Sequence, residues 1–488
     1  MAKENKIYDY NMDKVKGQLV TVLKKRKNES TVADLIAETG LPKHQVEEVI
    51  KIVSNEYNGH MKVTESGDIL YYFPNGMKNT VRGLGPGLQR FFKKAVSITG
   101  KVLAFLFKIW IMIMLVGYFI LFVALLVLAV VASIAGTASS RGSSSRSRGR
   151  GSFGLFYLTA RVFEFFIHLW LYSGMKKKHT PKARPLHKGV FAFVFGEEDP
   201  NKTWEELQKK MVIAFIRAHK GVITTEELVN LTGISYNRAE SLINRYLLEF
   251  EGNPIVTDEG TLAFEFPALM RSREQVSAGE VPHYKKGVIP FNTNKKSLNR
   301  WIAFFNGFNL LFGGYFFYFS ILSGGMTGKA NPFSFLYVFT NTFFWEIGLP
   351  ASIVPIGLGI VPVVFAVLFY AVPLVRRMRD KTRNLEIKQD NFRSTIMGEV
   401  LLEPESVRPS EIKPKNDDEK PDNWEKFRES FLKSIGTQKG IEFNQKESGV
   451  LEYQYPELAR EVKDIKNYRS SIDTSKYQLG EEVFDSGE

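Results

Sequence analysis

Apolar positions in this chain twice follow a helical period and then switch to a period of two. In the first stretch Val15, Leu19 and Leu23 share one helix face, and Val46, Val49, Ile50 and Val53 share another. Between them, Thr31 stands three residues before Asp34, a capping-box spacing that predicts a helix start, and Gly40 supplies the turn that ends it. Lys62–Glu65, Ser66-Gly67 and Ile69–Phe73 then alternate as a hairpin. Shifting this stretch by 193 positions lays it on a second one without a gap. Thr31 falls on Thr224, Gly40 on Gly233, Gly59 on Gly252, and Phe73-Pro74 on Phe266-Pro267. Three helices and a two-stranded hairpin, in that order, predict a winged helix, and the duplication predicts two: 12–75 and 203–268.

Longer apolar runs follow each copy. Residues 110–134 carry no charge and, at about 1.5 Å per residue, are long enough to cross a bilayer core of roughly 30 Å. Residues 301–322 and 353–375 make a matching pair of spans after the second copy. A fourth span is expected over 153–175, although Arg161, Glu164 and His168 interrupt it on one helical face. An interfacial amphipathic helix is the competing reading of that segment. Residues 136–151 form a Ser/Arg loop between the first two spans, so the transmembrane regions are 110–175 and 301–375. Pro332 to Pro350 reads as a re-entrant or interfacial piece. Echoes of the first helix and the wing recur over 421–470, which predicts a truncated, degenerate third winged unit lacking the middle two helices. The expected class is therefore an α-rich membrane protein in which winged-helix domains alternate with pairs of transmembrane helices.

Charge refines this order. The net charge of +13 suggests nucleic acid until it is located. The two expected winged helices are neutral and acidic respectively, while the basic surplus lies in linkers at 76–109, 176–202 and 269–300 and in the first part of 376–420. Lysines and arginines beside membrane spans follow the positive-inside rule and can meet anionic lipid head groups. The later part of 376–420 reads as a flexible linker, and 471–488 as an acidic disordered tail. With four spans, both winged helices and the C-terminus fall on the cytoplasmic side. The arginines of 136–151 oppose that orientation without outweighing the flanking segments.

Candidate chemistry is sparse. The chain has no cysteine, which excludes disulfides and thiolate ligation within it, and its seven histidines have no metal-ligand spacing. Gly83 to Gly87 lacks the lysine and hydroxyl of a phosphate loop and reads as a linker. No cofactor, metal or catalytic constellation is expected, and the chain is expected not to be an enzyme. Arg161, Glu164 and His168 are the candidate intramembrane polar cluster, to which Asn306, Asn309 and Glu346 could add contacts. The candidate contact surface of the winged helices comprises Lys43, Gln45, Lys51, Asn237, Arg238, Asn244 and Arg245. Neighbouring glutamates and acidic wing tips (Glu65 to Asp68, Asp258-Glu259) disfavour duplex DNA, whose phosphates need neutralising.

Tandem wings ending in G-x-(I/L)-x-(Y/F)-x-F-P, each followed by membrane spans, resemble a group of poorly characterised bacterial membrane proteins with chloroplast relatives. The resemblance covers roughly 12–375. It implies the order of parts; the expected location is a bacterial inner membrane. Some members carry an iron–sulfur biogenesis label, whose chemistry does not carry over as a ligand role to a chain without cysteine. The expected function is a multi-pass membrane scaffold or assembly factor that presents winged helices to a protein partner. A membrane-tethered DNA-binding transcription regulator and a small transporter are the alternatives.

Overall fold

The computed structural model describes residues 10–26, 29–74, 76–77, 84–139, 184–272, 281–323, 332–445 and 451–487. The expected span 153–175, with Arg161, Glu164 and His168, lies outside the described residues, as do residues 140–151 of the expected Ser/Arg loop, whose first four residues instead continue a helix. The protein is helix-rich with small sheets, and it divides into two compact units. One gathers residues up to Leu84, Asp199–Ile289 and Thr382–Glu488; the other gathers Gly85–Glu198 and Pro290–Lys381.

In the first unit, helices α1 (Met12–Lys25), α2 (Val32–Thr39) and α3 (Lys43–Glu56) precede strands β1 (His60–Thr64) and β2 (Ile69–Tyr72). The apolar faces predicted for α1 and α3 are fully buried at Leu19, Val46, Val49, Ile50 and Val53. A capping box opens α2: the Thr31 hydroxyl accepts from the Asp34 amide, and the Asp34 carboxylate accepts from the Thr31 amide. Further along stand α6 (Trp204–Ala218), β3 (Val222–Ile223), α7 (Thr225–Thr232), α8 (Tyr236–Phe250), β4 (Asn253–Val256), β5 (Leu262–Glu265) and a short turn of helix, α9 (Pro267–Met270). The same capping box recurs at Thr224 and Glu227. One matched glycine pair has a steric cause. A Cβ on Gly59 would lie 2.5 Å from the Phe73 ring, and one on Gly252 would lie 2.5 Å from the Phe266 ring. Each phenylalanine after the hairpin thus occupies the space that a side chain on the glycine before it would need.

The two helix-and-hairpin segments are not separate domains. A single buried cluster runs from Leu19 and Val49 through Ile216 and Ile243 to Phe392, Ile396, Leu432 and Tyr455. The last four belong to segments read from sequence as linker and degenerate unit. Residues 376–420 are not a flexible linker: α12 (Val361–Leu402) continues through their first half, and Val407, Ile412 and Glu419 are buried in the rest. The apolar residues at 392, 396, 397 and 400 repeat at helical spacing within a charged sequence, so the core decides what mean polarity hides. Over 421–470 lie α13 (Trp424–Lys439), β6 (Glu442–Gln445), β7 (Leu451–Gln454) and an additional helix, α14 (Pro456–Ser471). The tail 471–488 is not disordered where it is described. Thr474–Tyr477 forms a 3₁₀ turn and Glu482–Asp485 forms β8, a third strand on the edge of β1. Backbone pairing to an open strand edge holds this segment despite its acidic composition.

The second unit contains three helices long and apolar enough to cross a membrane among the described residues: Val102–Ser133, Lys296–Leu322 and a stretch beginning at Ile353. The first lies within α4 (Leu84–Ser139). The next is α10 (Lys296–Phe317), extended by a π-helical turn at Tyr318–Leu322. The last opens as a π-helical segment, Ile353–Ile360, before α12. Pro332–Ser334 and α11 (Phe335–Glu346) fill the segment expected to be re-entrant. The basic linker 176–202 also needs correction, because it contains an apolar helix, α5 (Leu186–Phe195), with Val190 and Val194 packed against Ile302 and Phe369. Its apolar run sits behind a cluster of lysines, which dominated the sequence reading.

Candidate functional site

The residues expected to touch a partner fall into two groups. On α3, Gln45 is buried and Lys43 forms ion pairs with Glu47 and with Glu251, the residue that ends α8. Only Lys51 of the three is exposed. The N-terminal part of α3, the part that would enter a DNA groove, is therefore closed against the second helix-and-hairpin segment. On α8, Arg245 is bound to Glu205 and to the buried carboxylate of Glu249. Asn237, Arg238 and Asn244 remain exposed.

Asn237, Ser241, Asn244 and Leu248 are spaced to share one face of α8, and all four are exposed. Leu248 is 65 % exposed. On the hairpin that follows, Val256 and Leu262 are cross-strand partners, 69 % and 52 % exposed. Sequence reasoning missed this apolar component, because alternation within a strand does not say which face a third layer will cover.

Charged groups hold the second segment to α14. Lys439 lies between Glu226 at 2.9 Å and Glu461 at 2.7 Å. Burial works against its charge, but the two carboxylates prevail and hold its pKa above the ordinary lysine value. Burial pushes the Glu461 carboxyl up. Arg469 forms a two-pronged pair with Glu227 at 2.7 and 2.6 Å and also donates to the Val222 carbonyl. Glu227 is the capping-box residue of α7, so one carboxylate both caps a helix and anchors α14. His219 lies flat against Phe215 and bonds its carbonyl. Burial first, and Arg469 beside it, hold the imidazole pKa below its ordinary value. His219, Glu226, Glu227, Glu461 and Arg469 line a cleft of about 470 Å³ in which most charged groups are already paired.

Within the second unit, Asn306 and Asn309 are fully buried one turn apart. Their amides donate to the Ala366 and Leu115 carbonyls, joining α10 to α12 and α4. Glu346 is exposed and joins neither. Among the described residues no three His, Asp or Glu side chains are grouped to hold a metal ion. The arrangement is thus a set of exposed apolar and neutral polar residues on one side and an ion-paired attachment of α14 on the other.

The chain is similar to an uncharacterised chloroplastic protein of Arabidopsis thaliana. The two are 23% identical over 400 residues, which cover 77% of this chain and 70% of the relative. No family model and no solved structure matches the chain.

Proposed function

We propose that this is a non-catalytic, multi-pass membrane protein whose soluble unit is built from two winged helices and a truncated third. It acts as a scaffold or assembly factor, docking another protein in a bacterial inner membrane with its winged helices and C-terminus on the cytoplasmic side. The carrying observation is the closure of the N-terminal part of α3: Gln45 is buried and Lys43 is paired with Glu251, which leaves Lys51 as its one exposed lysine, too little for a phosphate backbone. The surface left open is the neutral face of α8 with Leu248, together with Val256 and Leu262 on the second wing. Neutral polar residues around exposed apolar ones suit a protein interface better than a phosphate backbone. Among the described basic groups beside the spans, the exposed Arg377, Arg379 and Lys381 suit anionic lipid head groups.

The test is capture of the full-length tagged protein in mild detergent after brief crosslinking, with and without nuclease, alongside Leu248→Glu and Val256→Glu. A stoichiometric protein that survives nuclease and is lost from both variants is expected. Recovery of discrete DNA, with protein lost on nuclease treatment, would establish the membrane-tethered regulator instead. A captured protein indifferent to both variants would reject this surface.

A further inference from the structure

The third strand on the first wing is held in an unusual way for a core element. β8 pairs antiparallel with β1, setting Lys62 opposite Asp485, Val63 opposite Phe484 and Thr64 opposite Glu482, with a register shift at Val63/Thr64. Backbone bonds extend the pairing on both sides: the Glu65 amide donates to the Glu481 carbonyl, and the Ser486 amide to the Met61 carbonyl. Side-chain contacts come from the Ser486 hydroxyl, which accepts from the Met61 amide, from the Ser66 hydroxyl, which donates to the Leu479 carbonyl, and from two carboxylates that carry the charge. The Lys62 ammonium lies 2.8 Å from Glu482 and 3.8 Å from Asp485, and the Tyr72 hydroxyl donates to Asp485 at 2.8 Å. The apolar side chains of the strand add little, since Val483 is 68 % exposed and Phe484 59 % exposed. Beneath the preceding residues the packing is also open. Tyr477 to Gly480 and Glu482 border a cavity of about 540 Å³ that reaches Arg217 and Ser272.

A strand fixed by main-chain bonds and an ion pair, with its apolar side chains in solvent and a cavity under its approach, contributes little to the core. Main-chain pairing to an edge is also a recurring mode of peptide recognition, in which pockets for alternate side chains give specificity. We propose that the β1 edge is a docking edge for an extended acidic segment of the partner protein, and that residues 479–486 are its internal occupant, displaced when the partner strand pairs. The chemistry required is an extended backbone with carboxylates placed to meet Lys62 and Tyr72, as Glu482 and Asp485 do. This inference rests on the docking reading above and assigns it a second surface and a regulated one.

The probe is a fluorescein-labelled synthetic peptide of residues 478–488, titrated by anisotropy onto the full-length protein and onto a chain lacking 478–488, both in mild detergent. The shortened chain is expected to bind the peptide saturably and at least tenfold more tightly than the intact one. Lys62→Glu in the shortened chain should abolish binding. Equal affinity for both chains, or no binding by a shortened chain that keeps its circular dichroism, overturns the proposal. If the shortened chain does not fold, hydrogen exchange of the intact protein decides: amides of 479–486 should exchange at least tenfold faster than those of β2, and equal protection overturns the idea. A shortened chain that pairs with a second copy and ignores the peptide also counts against it. Peptide binding without any captured protein fails the docking reading alone. A captured protein indifferent to Lys62→Glu fails this one alone.

Discussion

Removing Arg469 tests whether α14 is held to the second helix-and-hairpin segment by charge. Arg469→Ala deletes two bonds to the Glu227 carboxylate, one to the Val222 carbonyl, and a guanidinium 5.9 Å from the Phe215 ring centre. Fully exposed pairs contribute about 0–1 kcal/mol, whereas breaking a buried pair costs about 3–5. The two side chains here are 13% and 15% exposed, which places them between those limits but nearer the second. A loss of about 3 kcal/mol follows, roughly two powers of ten in an opening equilibrium. The assay is native-state hydrogen exchange of α14 amides in the full-length protein, where exchange at Leu458 and Ile465 should accelerate about 100-fold. Glu227→Gln separates the pair from the cap, since glutamine still serves a capping box while losing the charged fork. In a double-mutant cycle the two changes should couple by roughly 1–2 kcal/mol. Additivity within about 0.5 kcal/mol, or exchange changed less than threefold, would refute the reasoning.

Other predictions address different parts of the fold. Gly40 and Gly233 both end helices with positive φ, but a Cβ at Gly40 would make only ordinary contacts, whereas at Gly233 it would clash with backbone, 1.9 Å from the Asp390 carbonyl oxygen. Gly40→Ala should therefore cost about 1 kcal/mol in thermal unfolding, and Gly233→Ala more than about 3, because α12 must move. His219 is held below its ordinary pKa, so the folded state binds fewer protons than the unfolded chain. Its stabilising contribution is complete above the unfolded value of about 6.5 and is lost as pH falls toward the folded value. Between pH 7.5 and 6 the melting temperature should fall with acidification, and His219→Gln should flatten that slope. His283 is lowered by burial with the same sign, so the comparison is with and without His219→Gln on one background. Asn309→Leu removes one interhelical bond to the Leu115 carbonyl and should cost only about 0.6 kcal/mol in SDS-induced unfolding, given the modest worth of such bonds in membranes.

The local elements were legible in the sequence because each is specified by neighbours. Thr31 and Asp34, or Thr224 and Glu227, form their capping boxes within three residues, and the apolar spacing of α3 and α8 marks their buried faces. Uninterrupted apolar length likewise marked 110–134, 301–322 and 353–375, which fall on the helices able to span a membrane at 102–133, 296–322 and from 353 onward. What covers each surface depends on residues far away in the chain, and only the tertiary structure decided it. Gln45 and Lys43 read as part of a contact surface until burial of the one and the pairing of the other with Glu251 remove them from it. Phe392 and Ile396 read as part of a charged linker until they join a core with Leu432 and Tyr455. The acidic segment around Glu482 read as disordered because its composition cannot bury a core. It is ordered by the unpaired backbone of β1 and by Lys62, more than four hundred residues earlier, and no local pattern encodes that pairing.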